Sequence, residues 1–154
     1  MKKFDDVIAR LVKIKLSSKS KAESEFFRVY FRSHLASDMS QGKNSNSDFT
    51  RIGKEFHRWV KDEEKRLGLV SSDAFVSFLD KIEYFAKVYE KINDLLQGRD
   101  ADNYLYLIVN NDYNFTLQTP AILASVAYGD KDEVIDEKIK LVSKYLTKVL
   151  TWRT

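Results

Sequence analysis

The stretch from Ser71 to Gln97 constrains this chain more than any other. Phe75, Phe78, Leu79, Ile82, Phe85, Ala86, Tyr89, Ile92 and Leu96 recur in it with the 3.6-residue period of a helix that buries one face. No glycine or proline interrupts the run, Ser71 or Ser72 can cap its start, and Gly98 stands where it should stop. A helix of that length, about 40 Å at the standard rise per residue, needs other elements to cover it. One proline and five glycines in 154 residues leave few chain breakers, which favours further helices over a many-turned β fold. With 44% apolar and 13% aromatic residues, the chain can build a core and does not read as disordered. The predicted class is all-α: an irregular bundle of about seven helices, forming a single helical domain over residues 1–154.

The other helices follow from the same patterns. "FDDVIARLVKIKL" places Phe4, Ile8, Leu11 and Val12 on one face. "SKAESEFFRVYFRSHLA" opens with Ser20 and Glu23 at capping-box spacing, and Phe26, Phe27, Tyr30, Phe31 and Leu35 give it a wide apolar face. The Ser-, Asn- and Gly-rich segment 37–47 has no hydrophobic period and is predicted as an exposed loop. Ser47 or Asp48 caps the next helix, whose apolar residues are Phe49, Ile52, Phe56, Trp59 and Val60 and whose stop is Gly68. "DNYLYLIVNND" fits a buried strand or a short buried helix; helix is preferred because no second strand is available to pair with it. "TPAILASVAYG" is predicted as a short central helix with Thr119 as cap, Pro120 at its first position and Gly129 after its end.

The final helix starts with Asp130 and Glu133 at capping-box spacing and places Tyr145, Leu146, Val149 and Leu150 on one face. It runs into Trp152 and Arg153 without glycine, proline or a polar tail. That ending predicts a piece of a larger protein, with Val149, Trp152 and Arg153 as candidate interdomain contacts.

Composition removes several function classes. Without cysteine there is neither a disulfide nor a thiolate metal site. Acidic residues follow the first lysines at once, and Lys13 and Lys15 interrupt the apolar run, so the N-terminus is no signal peptide. No run approaches the roughly 20 apolar residues that span a bilayer. The expected location is cytoplasmic, with no membrane partner. His34 and His57 lie on different predicted helices, outside any HExxH pattern. The carboxylates Asp62, Glu63, Glu64, Asp132, Glu133, Asp136 and Glu137 sit beside lysines in runs that read as solvated. Nucleotide-binding glycine loops and a GxSxG elbow are missing. The expectation is a non-catalytic chain with no catalytic, metal or cofactor-binding residue and no cofactor.

The net charge of +3 is unevenly spread: ten basic and five acidic side chains in residues 1–43, sixteen and eighteen in the remainder. Arg28 and Arg32 are four apart on one predicted helix, and Lys54, Arg58 and Lys61 stand at i, i+4 and i+7 on the next. Such stripes suit phosphate contacts, and these five are the candidate nucleic-acid contacts. A solvated lysine-rich surface is the competing reading, and Tyr30 and Trp59 fall on apolar faces rather than where bases would stack.

The second half, "NDYNFTLQTPAILASVAYGDKDEVIDEKIKLVSKYLTKVLTWR", resembles the central helical region of the GmrSD-type modification-dependent restriction endonucleases. The similar features are an aromatic lead-in, Pro120 followed by Ile122, Leu123 and Ala124, an acidic turn, and a helix with Lys138, Ile139, Tyr145 and Leu146 ending on Arg153. "FFRVYFRSHLAS" and "KEFHRWVKDE" extend the likeness over residues 20–154. In that family the region lies between a ParB/sulfiredoxin-like nucleotide-handling domain and an HNH-type nuclease domain. Neither catalytic motif occurs in this chain. The resemblance therefore implies a scaffold or connector of a phage-defence protein, with the flanking domains of the same polypeptide as partners and DNA as a further one. The alternative is a free-standing helical protein–protein interaction module that docks around Val149 and Trp152.

Overall fold

A computed structural model describes residues 22–40 and 46–152, with Asp5, Asp6 and Ala9 besides. The helix expected around Phe4–Val12, the Ser20 cap, part of the 37–47 loop and Arg153 lie outside the described residues. Within them the chain forms six helices and no strand: α1 (Ala22–His34), α2 (Asp48–Asp62), α3 (Ser72–Gly98), α4 (Ala101–Asp112), α5 (Gln118–Ser125) and α6 (Asp132–Thr151). The all-α class holds. No helix among the described residues is long and apolar enough to cross a membrane.

The core is organised around α1 and α5. Phe26, Phe27, Val29, Tyr30 and Phe31 of α1 are all buried, so the wide apolar face is covered on several sides. Its rings form an aromatic seam: Tyr30 stacks on Phe85 of α3 at 5.0 Å, Phe26 meets Tyr89 at 5.5 Å, and Phe31 meets Trp59 of α2 at 5.8 Å. Ring pairs of this kind add about 0.5–1.5 kcal/mol each beyond the area they bury. The short helix α5 packs against α1, α3, α4 and α6, as its small apolar residues led one to expect, and Ile122 and Leu123 are fully enclosed.

Several boundaries differ from expectation, each for a local reason. α2 ends at Asp62 rather than continuing to Gly68; residues 63–70 wind through turns, and these let Arg66 reach back to Asp48 at 3.0 Å. Gly68 does adopt the left-handed conformation, at φ 71°. In α3 the left-handed residue is Arg99 (φ 50°) and not Gly98, and its guanidinium grips both carboxylate oxygens of Asp112 at 2.8–3.0 Å. Phe75, expected on the core face, is 49% exposed, because the covered part of α3 starts at Leu79. α4 is a helix and not a strand, but only Leu107, Ile108 and Asn110 are buried, and Leu105 and Tyr106 face outward.

The start of α5 is displaced too. Thr119 is not its cap: the helix begins at Gln118 behind Leu117, and Pro120 is its third residue, still within the first turn that tolerates a missing N–H. It ends at Ser125, and Gly129 serves the following turn at φ 92°. At α6, Lys131 occupies the cap position without a side-chain bond, and Asp130 and Glu133 form no capping box. The Asp130 carboxylate instead accepts the Ala127 amide and the Lys138 ammonium.

Gln118 is drawn into the helix by a buried amide network. Asn110 Nδ2 donates to Gln118 Oε1 (2.8 Å) and to the Ser143 carbonyl (2.9 Å), Thr147 Oγ1 donates to Asn110 Oδ1 (2.8 Å), and Gln118 Nε2 donates to the Leu107 carbonyl (3.0 Å). Asn110, Gln118 and Ser143 are all buried, so the network joins α4, α5 and α6 where water cannot substitute for a lost partner. Asn110→Ala is expected to cost roughly 2–4 kcal/mol in urea unfolding, since it strands the Gln118 amide and a buried carbonyl. A cost below about 1 kcal/mol, the size of an ordinary exposed polar bond, would contradict this role.

Candidate functional site

The five basic candidates do not form one surface. Arg32 is half-buried and engaged by its neighbours. Its Nε donates to the Phe49 carbonyl at 3.0 Å, its guanidinium lies 3.8 Å from the Phe49 ring centre, and it fills the space beside Gly53, where a Cβ would stand 2.0 Å from Nη2. Burial pushes the Arg32 guanidinium below its usual range, against the opposing pull of Glu25. Arg32 thus ties α1 to the start of α2. Arg28 stands 3.9 Å from Glu25, with its Nε buried and unpartnered.

Lys54, Arg58 and Lys61 are exposed on α2. The helix is broken between the first and the other two, because Glu55 has φ −146° and ψ 70°. The even i, i+4, i+7 stripe is therefore interrupted. The adjoining cleft, ≈ 570 Å³, mixes Arg51, Lys54 and Arg58 with Glu55 and Asp62, and so offers an anion little net attraction. Arg51 is already bound to Asp62 at 2.9 Å and Glu63 at 2.8 Å.

A dense polar centre in this half of the molecule is Asp48, which the sequence marks only as a helix-cap candidate. Its carboxylate, 8% exposed, accepts the Ser37 amide and hydroxyl (both 2.9 Å), the Trp59 indole N–H (2.8 Å) and Arg66 Nη2 (3.0 Å). Burial would raise this carboxyl, but the bonds from Ser37 and Trp59 and the charge of Arg66 outweigh it and hold it below the usual carboxylate range. Arg66 also donates to the Leu35 carbonyl and to Glu63 and lies over the Trp59 ring. Every partner is eleven or more residues away in sequence, so no local motif marks the centre. The arrangement is saturated and cross-links the end of α1 to both ends of α2.

His34 also takes a structural role. His34 Nε2 meets the Leu123 carbonyl at 2.8 Å, the ring lies 4.2 Å from that of Phe85, and burial lowers its basicity despite that bond. His57 is exposed, with its ring edge against Phe56. Asp132 and Asp136 both bind Lys91, and Asp136 accepts the Tyr104 hydroxyl at 3.0 Å. Among the described residues no three His, Cys, Asp or Glu side chains are grouped to hold a metal.

The outer face of α6 differs in character. Ile135, Ile139 and Ser143 are buried and Leu146 and Leu150 half-buried on the inner side, but Leu141 is 69%, Tyr145 65% and Trp152 90% exposed. Val134 and Val149 flank them, also exposed. Tyr145 does not share the inner face with Leu146 and Leu150, as the sequence suggested. At 100° per residue Val134, Leu141, Tyr145 and Trp152 fall within a narrow outer stripe about 30 Å long. Of the candidate interdomain residues, Val149 and Trp152 belong to this surface. Comparison of the chain with protein-family models, with curated proteins and with solved structures finds no match.

Asp48 supplies a pH prediction. Its folded-state pKa lies below the unfolded value of about 4, so its stabilisation is complete above that value and is lost as pH falls through the folded one. Asp48→Asn is expected to lower stability at pH 7 by roughly 2–4 kcal/mol, with the difference between parent and variant shrinking as pH falls below the ordinary carboxylate range. A constant difference between them from pH 7 to 2 would show that the charge is not what matters.

Proposed function

We propose that this chain is a non-catalytic helical scaffold that docks another protein surface on the outer stripe of α6. The carrying observation is the double character of that helix: a buried inner face and, opposite it, Leu141, Tyr145 and Trp152 exposed in line. Scattered exposed apolar residues are ordinary, but aligned large ones on a rigid helix mark interaction sites. The resemblance to the middle region of GmrSD-type restriction proteins supports a connector between a nucleotide-handling and a nuclease domain, within a phage-defence protein.

A photo-crosslinking amino acid in place of Leu141, in cells that make the protein naturally, tests the docking. An adduct is expected from Leu141 and none from a control at Lys87, an exposed residue of α3. Absence of any adduct from Leu141 would contradict the proposal.

DNA contact by this module falls to Lys54, Arg58 and Lys61, since Arg32 is engaged within the fold and Arg28 is half-buried beside Glu25. With three phosphates at most, log affinity for duplex against log salt is expected to have a slope no steeper than about −2.7. A steeper slope, or one that Arg32→Ala reduces without unfolding the chain, would overturn this assignment.

A further inference from the structure

One flank of the α6 stripe carries two like-charged pairs at helical spacing, acidic near the start of the helix and basic near its end. Glu133 and Glu137 are four residues apart, and so are Lys144 and Lys148. Like charges at that spacing repel one another. Other charged side chains of α6 are paired within the fold: Asp132 and Asp136 with Lys91, Lys138 with Asp130, and Lys140 over the Tyr104 ring. Glu133, Glu137, Lys144 and Lys148 are exposed and have no ion-pair partner among the described residues. Helix geometry puts all four on the same side of the line through Val134, Leu141, Tyr145 and Trp152.

We propose that the partner of this face is a second copy of the chain, bound antiparallel, α6 against α6. The inference rests on the docking reading above and names its occupant. Centring the pair between Lys140 and Leu141 sets Glu137 of each copy opposite Lys144 of the other. The same register sets Glu133 opposite Lys148, so two-fold symmetry gives four complementary contacts and both repulsive spacings are relieved. A parallel pair would set this flank against the opposite flank of the other copy and leave all four charges unmatched, so the charges select the direction as well as the partner. In this register the two Leu141 side chains approach the two-fold axis. Trp152 passes the start of the other copy's α6 toward the turn that holds Tyr128, itself exposed. Lys138, which falls within the stripe, is drawn aside by Asp130. One helix face per copy lies near the lower limit of roughly 1,000 Å² for a specific interface, so a reversible dimer is expected.

Sedimentation equilibrium tests this on the whole chain. The mass is expected to rise from 18.0 kDa toward twice that value as concentration increases from about 1 to about 200 µM. Two double variants, Glu133→Lys with Glu137→Lys and Lys144→Glu with Lys148→Glu, alter only exposed side chains. Each should keep the parent's helical circular dichroism and weaken self-association at least tenfold. An equimolar mixture of the two should associate at least as tightly as the parent, because one flank is then wholly basic and the other wholly acidic. The proposal is overturned by a chain that stays monomeric throughout. It is equally overturned by variants that dimerise as well as the parent, or by a mixture no tighter than its components. A monomeric chain that still crosslinks through Leu141 to a different polypeptide rejects the second copy and leaves the docking reading standing. No association and no adduct reject both.

Discussion

The amide network of Asn110 is the interaction on which the rest of this architecture turns. The helices α4 and α6 could slide along one another at little cost if only apolar contacts joined them. Asn110 removes that freedom. Its amide must meet Gln118 and the Ser143 carbonyl on one side and the Thr147 hydroxyl on the other, and one placement of α4, α5 and α6 satisfies all of them. A buried polar group left unpaired costs more than a slipped methyl contact, so the network sets register where hydrophobic burial would tolerate several. With α6 held in that register, Ile135, Ile139 and Ser143 turn inward, and Leu141, Tyr145 and Trp152 are forced outward.

A second polar centre does for α1 and α2 what Asn110 does for α4 to α6. Asp48, Trp59 and Arg66 tie the chain leaving α1 to both ends of α2, and Arg32 closes the same junction from the other side against Phe49 and Gly53. The aromatic seam of α1 then fills the space between. Both centres lie where the fold needs fixing, which explains why Arg32 and Arg66 are absorbed into structure. His34, bonded to Leu123 and packed on Phe85, belongs to the same pattern.

Hydrophobic period and caps were strong guides to this fold wherever the determinant was local. The α3 period, the Ser47 and Ser71 caps and the left-handed Gly68 were all legible, because each depends on residues within a turn or two. What was not legible came from distant partners. Asp48 is joined to Ser37, Trp59 and Arg66 across eleven to eighteen residues, and nothing in its neighbourhood distinguishes it from a simple helix cap. Thr119 and Asp130 looked like caps and are not, since Gln118 and Lys138 claim the chain or the carboxylate for tertiary bonds. Asn110 left a faint trace, a polar residue closing the apolar run of "YLYLIVN" three positions after buried Leu107. Tyr145 was misassigned for a different reason: a helix with apolar residues on two sides gives a broad pattern from which neither face can be separated by spacing alone.

The central claim is that the outer face of α6 is built to be covered, and its direct test is the solvent exposure of the two tryptophans. In protein labelled with 5-fluorotryptophan, the Trp59 resonance should show no solvent-isotope shift at any concentration, because that ring is buried. The Trp152 resonance should show the full shift in dilute solution and lose it as the chain associates. A Trp152 signal that stays solvent-exposed under every condition of concentration and in the cellular assembly would contradict the account.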